Sequence, residues 1–394
     1  MVILRVACDN LYMFKNFELD LTYDRKINHP LATDDVLFEG SRIRVRKNII
    51  VMGANASGKT TFGKLLCAIL NFIRGRNLDN EEFSLSKIQY DKTKDASFEM
   101  EFVIGDTAYL LKASFRDFNL HREEVYTQKI HKSYNIRKLR EKLNSNKPEI
   151  FDSDTKEMNL GFKSFIFSVS KLNKFPDLNK AFGFLFMFSE PELSWNYKVF
   201  NQEVDVEFLD KLLSKIDNSV KSVKRLQVEG ETEGKATNSY QINFKNNENL
   251  IVVNGDLKSC GNRLSHGTFE TIDFLSCLSS LKGKNLLYVD ERLSHMHPEL
   301  ETYLARQAFF QKSTDSQLFF TTHDKEFFDL NAPSTAYILF KRNFDGFNSV
   351  VCVSDKINKN DRNLRNYYEN DYFGTLPDYS FLDELFEDKE FTNA

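Results

Sequence analysis

The chain has 394 residues, 41% hydrophobic and 28% charged, with a formal net charge of −4. That balance excludes a disordered chain and supplies core for two or three domains, while the lack of basic excess leaves nucleic acid only a local patch to bind. No apolar run approaches the ~20 residues of a bilayer span, and "MVILRVACDN" is not a secretory leader, so a cytoplasmic protein is expected. The five cysteines, Cys8, Cys67, Cys260, Cys277 and Cys352, form no C-x-x-C pair and read as buried free thiols in a reducing compartment.

The first ~115 residues have strand composition. "RIRVRKNIIVM" alternates and then becomes wholly apolar, as a buried parallel strand does. It runs directly into Gly53-Ala54-Asn55-Ala56-Ser57-Gly58-Lys59-Thr60-Thr61, a G-x-x-x-x-G-K-T loop. Gly53 and Gly58 permit the tight turn that aims successive N–H groups at phosphates, and the next helix adds its N-terminal dipole. Lys59 is placed for the β- and γ-phosphates, Thr60 for Mg²⁺, and Asn55 for a γ-phosphate contact. "SFEMEFVIGDTAYLLKASF" reads as a hairpin turning at Gly105-Asp106.

From residue 122 to 235 the chain reads as a mostly helical insertion. "KIHKSYNIRKLREKLNSNK" carries seven Lys or Arg and one Glu, a solvated helix face, a nucleic-acid contact or a partner contact. "FLDKLLSKIDNSVKSVKRL" puts Leu209, Leu212, Leu213, Ile216, Val220 and Val223 on one helix face. "AFGFLFMF" reads as core. The domains expected are an N-terminal lobe over 1–121, the insertion over 122–235 and a C-terminal lobe over 236–394.

After residue 236 the α/β pattern resumes. "RLSHGTFETIDFLSCL" places Ser265 and Gly267 at a helix N-terminus, an anion-attracting position. In "NLLYVDERL" a buried strand ends in Asp290-Glu291, the first suited to holding Mg²⁺ and the second to polarising water. "QLFFTTHD" ends a strand at His323, within reach of a γ-phosphate. His295 and His297 form H-x-H, for which a structural role, such as capping the next helix, fits better than metal. The tail from Glu369 to Ala394 holds eight acidic residues against the single Lys389, and reads as a docked acidic helix or a loose tail.

In this order the four elements resemble the ABC-type ATPase core shared by SMC proteins and recombination ATPases: Walker A, signature, Walker B with catalytic glutamate, and His switch. "LYMFKNFELDL", "DERLSHMHPELE" and "YYENDYFGTLPD" are similar to the opening, Walker B and closing motifs of the predicted ATPases in bacterial abortive-infection and OLD systems. The resemblance implies an α/β P-loop fold with a mixed-sheet core, an N-terminal antiparallel β lobe and an inserted helical arm. It implies ATP and Mg²⁺ as cofactors, with Lys59, Glu291 and His323 as catalytic residues. It also implies a homodimer that closes around ATP through Ser265 and Gly267. His266 and Thr268 depart from the LSGGQ signature, and no Q-loop glutamine is assigned. OLD-type relatives carry a Toprim nuclease after the ATPase; only 71 residues follow His323, so a separate nuclease or Toprim-like effector is expected. A repair or recombination ATPase that clamps DNA is the alternative.

Overall fold

A computed structural model of the chain describes residues 1–73, 83–85, 87–116, 119–152, 183–190, 194, 200, 203–227, 237–258, 264–281, 286–293, 296–357 and 363–376. In chain order the elements are β1 (Val2–Asp9), β2 (Phe17–Asp20), β3 (Thr22–Tyr23), β4 (Arg44–Val45), β5 (Asn48–Met52), α1 (Lys59–Ile73), β6 (Ala96–Ile104), β7 (Thr107–Arg116), β8 (Asn119–Lys129), α2 (Ile136–Ser145), β9 (Glu149–Asp152) and β10 (Phe184–Met187). There follow α3 (Val206–Ile216), β11 (Val220–Arg225), β12 (Tyr240–Phe244), β13 (Asn249–Val253), β14 (Asp256–Leu257), α4 (His266–Leu281), β15 (Leu286–Asp290), α5 (Pro298–Gln311), β16 (Gln317–Thr322), β17 (Tyr337–Arg342), β18 (Asn348–Cys352), α6 (Val353–Lys356) and α7 (Leu364–Glu369).

The central sheet has the order β10-β15-β16-β5-β17-β18. All its pairings are parallel except the last, so the carboxyl ends of β10, β15, β16 and β5 share one edge. Both faces are covered, which is why "NIIVM" and "LLYVD" are buried at every position. Ile49 and Val51 enter one core with α1 and the first sheet; Ile50 and Met52 enter a second core with α4, α5 and the third sheet, β11-β12-β13-β14. The first sheet, β2-β1-β6-β7-β8-β9, is antiparallel throughout and is the expected N-terminal β lobe. Its hairpin turns at Gly105, whose φ of 59° suits glycine. Gln317 joins this sheet to the central one by exchanging hydrogen bonds with the Ile3 backbone (2.7 and 2.9 Å).

Aromatic side chains fill the space between α1 and the sheets. Phe62 meets Phe14, Phe17, Tyr288, Phe319 and Phe340 with ring centroids 5.3 to 6.4 Å apart, the spacing of favourable aromatic pairs. Beside it the Tyr288 hydroxyl donates to the Lys59 carbonyl at 2.6 Å. The Tyr288 ring lies against Gly63, where a Cβ would fall 2.5 Å from Cε1.

The stretch 122–235 corrects three expectations. Position 122 falls inside β8, so no boundary lies there. Within that stretch β10 is an edge strand of the central sheet, so "AFGFLFMF" contributes core as expected but from within the sheet that carries β5 and β15. The helix expected to carry Val220 and Val223 ends at Ile216. Asp217 accepts from the Ser219 N–H and hydroxyl at 2.9 and 2.6 Å, a local turn that competes with helix, and Val220 and Val223 then pair with β12. The described part of the expected helical arm is thus α2 and α3 interleaved with strands of the first, central and third sheets.

Basic residues around α2 are partly neutralised. Arg140 pairs with Asp20 (2.7 Å) and Glu101 (2.8 Å), Lys129 with Asp106 and Lys138 with Glu141, while Leu139 and Leu143 are buried. Cys8, Cys67 and Cys277 are buried free thiols and Cys352 is half-buried; Cys260 lies outside the described residues. The reading of the acidic tail as a docked helix falls mostly on 377–394, also outside them. Among the described residues no helix is long and apolar enough to cross a membrane.

Candidate nucleotide site

The loop between β5 and α1 has no room for side chains at its two glycines. A Cβ on Gly53 would lie 2.4 Å from the Phe340 carbonyl oxygen, and one on Gly58 would lie 2.4 Å from Asn348 Nδ2. Their φ values, 155° and 103°, also favour glycine. Asn55 and Ala56 are exposed at the loop tip, where Ala56 adopts φ 61°. Ser57 is buried, and its hydroxyl oxygen has no hydrogen-bond partner. Lys59 donates to the Gly53 and Ala54 carbonyls at 2.8 and 3.2 Å, folding back over the loop. These features fit a triphosphate: a cradle kept open by glycine, an orphaned hydroxyl and a buried cation. Thr61 sits half-buried in the first turn of α1.

The acids stand at the neighbouring strand ends because β15, β16 and β5 are parallel and in register, Asp290 beside Thr321 and Thr321 beside Val51. Asp290 is fully buried. Its Oδ2 accepts from Thr60 Oγ1 at 2.7 Å and its Oδ1 from Thr321 Oγ1 at 2.7 Å. Burial pushes its carboxyl above the usual range, against the pull of those two hydroxyls. Thr60 and Asp290, already in contact, are an oxygen pair of the kind that Mg²⁺ prefers. Glu291 has φ 48°, a left-handed conformation costly for a non-glycine residue. Its N–H donates to the Thr321 carbonyl and hydroxyl, and its carboxylate lies 3.2 Å from Lys59 Nζ and 3.6 Å from His323 Nδ1. Lys59, Thr60, Asp290, Glu291 and His323, distant in sequence, therefore form one cluster.

Ser265 and Gly267 lie at the start of α4, and the described hydrogen bonds of Ser265 run only within the first turn of that helix. A Cβ on Gly267 would meet nothing within 4 Å, so this glycine leaves a gap rather than a tight turn. His297 occupies the cap position before α5 but makes no side-chain capping bond, against the capping expectation; His295 lies outside the described residues.

Several partners escaped the sequence reading. Ser189, two residues beyond β10, has its Oγ 3.5 Å from Asp290 Oδ2. Its signal was the apolar run ending in a polar residue, the pattern that marked the other strands. Arg292 is buried and makes a two-pronged ion pair with Asp273 of α4 (2.8 and 2.8 Å), and also donates to the Phe188 carbonyl at 2.9 Å. Glu301 of α5 is buried at the wall of a cavity of about 420 Å³ that Glu291, Thr322, His323, Asp324 and Lys325 also line. Burial first, then Asp324, Glu270 and Glu291, push its carboxyl up to about 8 from an ordinary 4.5.

That shift fixes a sign. Between pH 4.5 and about 8 the folded chain keeps a proton on Glu301 that the unfolded chain has released. Stability then falls as pH rises through this window, by up to about 1.4 kcal/mol per pH unit from this group. Glu301→Gln should flatten the fall, with the gain over the parent largest near pH 8. Urea midpoints at pH 5 and 8 measure it; parallel profiles for the two chains would remove Glu301 as the cause.

No curated protein matches the chain significantly. Among solved structures it is similar to an SMC head bound to the C-terminal winged-helix domain of ScpA (12% identity, 91% of this chain and 100% of that one, TM-score 0.43). It is also similar to the SMC head domain from Thermotoga maritima (10% identity, 89% and 99%, TM-score 0.41) and to the recombination mediator protein RecF-ATPrS of the RecFOR pathway (14% identity, 89% and 98%, TM-score 0.39). The family described as "AAA domain, putative AbiEii toxin, Type IV TA system" matches residues 49–329, a span that begins in β5 and takes in the P-loop, Asp290, Glu291 and His323. With more than two thirds of its length matched, site included, the chain belongs to that family of AAA-domain proteins.

Proposed function

We propose that this chain is an ATP-binding and ATP-hydrolysing switch that dimerises around ATP, and that it is the ATPase and sensor part of an anti-phage, abortive-infection system with a separate effector. The observation that carries the enzymatic part is the meeting of Lys59, Thr60, Asp290, Glu291 and His323 at one sheet edge. The defence part draws support from the family's description, which refers to an AbiEii toxin and a type IV toxin–antitoxin system, and from the end motifs of the sequence. A nuclease or Toprim-like effector is the kind of partner the sequence resemblance implies.

In this reading the backbone N–H groups from Gly53 to Thr61 bind the phosphates, and Lys59 leaves Glu291 to face them. Glu291 accepts the proton of an attacking water, and His323, beside it, orients that water or the γ-phosphate. Thr60 and Asp290 would hold Mg²⁺, which when bound would supply charge neutralisation at the phosphates. Ser265 and Gly267 of a second chain complete each site across a two-fold axis.

A mixing experiment tests this reading. Ser265→Arg chains keep a working P-loop, and Lys59→Ala chains keep a working α4 N-terminus. Each alone should release little phosphate from ATP, whereas the mixture recovers activity because each heterodimer holds one complete site. Light scattering should show ATP driving the parent chain to a dimer. A mixture as inactive as its parts, with no ATP-dependent change in mass, would refute the two-chain site.

A further inference from the structure

We infer that Asp217 is a brake on the α4 N-terminus, keeping the Ser265 hydroxyl proton committed inside the fold; this rests on the reading of Ser265 as a phosphate contact. The argument is a count of protons. Thr268 is buried, and its hydroxyl donates to Asp217 Oδ2. The Thr268 N–H donates to Ser265 Oγ at 3.1 Å, and the Ser265 and Thr268 hydroxyl oxygens are 2.6 Å apart. Thr268 has one hydroxyl proton, and Asp217 takes it. The proton in the Ser265–Thr268 contact is therefore that of Ser265. With its proton spent, Ser265 offers only lone pairs, and a phosphate oxygen needs a donor. Asp217 also places a carboxylate near the N-terminus of α4, so an arriving anion finds that dipole already answered.

The carboxylate is held firmly in its charged form. Burial works to raise its pKa, and the bonds from Ser219 and Thr268 outweigh that and lower it. Asp217 caps the C-terminus of α3 and leads into β11, so it belongs to the lobe built by α3 and the third sheet, not to α4. Moving α3 away would free the Thr268 hydroxyl to turn onto Ser265 Oγ, releasing the Ser265 proton for a phosphate. The brake is thus set by one lobe and acts on another.

Phosphate release from ATP tests it in four variants. Asp217→Ala removes the acceptor, and Thr268→Val removes the hydroxyl while keeping the shape. Each should raise turnover about 3- to 10-fold, the range carried by one net hydrogen bond. The double variant should gain no more than either single one, because both release the same proton. Thr268→Ser, which restores the hydroxyl, should stay at the parent rate, and Ser265→Ala should cancel the gain in the Asp217→Ala background. If Asp217→Ala and Thr268→Val run at or below the parent rate while Ser265→Ala is impaired, the brake is wrong and the reading of Ser265 stands. If Ser265→Ala turns over as fast as the parent, the reading of Ser265 falls and takes the brake with it.

Discussion

Glu291→Gln should bind ATP and turn it over about 10²–10⁴-fold more slowly than the parent chain, the usual contribution of a positioned base. The amide keeps the size of the side chain, so the strained φ of 48° and the N–H bonds to Thr321 are undisturbed. What is lost is the carboxylate beside Lys59 and His323. The Asp290 pair with Thr60 is untouched, so nucleotide affinity should persist and the bound state should accumulate. Single-turnover phosphate release together with equilibrium nucleotide binding separates the two effects. Parent-like turnover would place the base elsewhere, and loss of binding would show that Glu291 mainly supports the loop.

The second large effect concerns folding. Asp273→Ala should cost about 3–5 kcal/mol, because it strands the buried Arg292 guanidinium without its two-pronged partner. Arg292 also holds the Phe188 carbonyl, so α4, the end of β15 and the end of β10 loosen together. The pair Asp273→Leu with Arg292→Met should recover most of the loss, since an apolar pair of similar volume removes both charges from the interior. Chemical denaturation of the three chains decides it. A single variant as stable as the parent would mean that water reaches Arg292.

What could be read in advance was what sits close together in the chain or repeats with a clear period. Gly53 to Thr60 carries its own flanks, an apolar strand before and a helix after, so loop and strand were both legible. Asp290, Glu291 and His323 were legible because each ends a buried apolar run, and parallel strands gather their ends. The helix drawn through Val223 failed for a local reason. Leu209, Leu213, Val220 and Val223 keep a helical period by coincidence, while the Asp217–Ser219 turn breaks the backbone between them. β10 was seen as core but not as a neighbour of β15, because an apolar run does not announce its pairing. Arg292 with Asp273 and Thr268 with Asp217 are partnerships between distant residues with no spacing rule, and only the fold brings them together.

The fit of Gly63 against Tyr288 ties together two stretches of chain that otherwise look independent. A methyl at position 63 would overlap three atoms of the ring, at 2.5 to 2.9 Å. A smaller residue at 288 would make space, but would also give up the hydroxyl that caps the Lys59 carbonyl. Sequences drifting from this one therefore have to change both positions at once or neither. Related chains should show the two positions varying as a pair. A chimaera that takes the P-loop helix from one relative and the Asp290 strand from another should fail first at this contact, even with every residue of the proposed phosphate site in place.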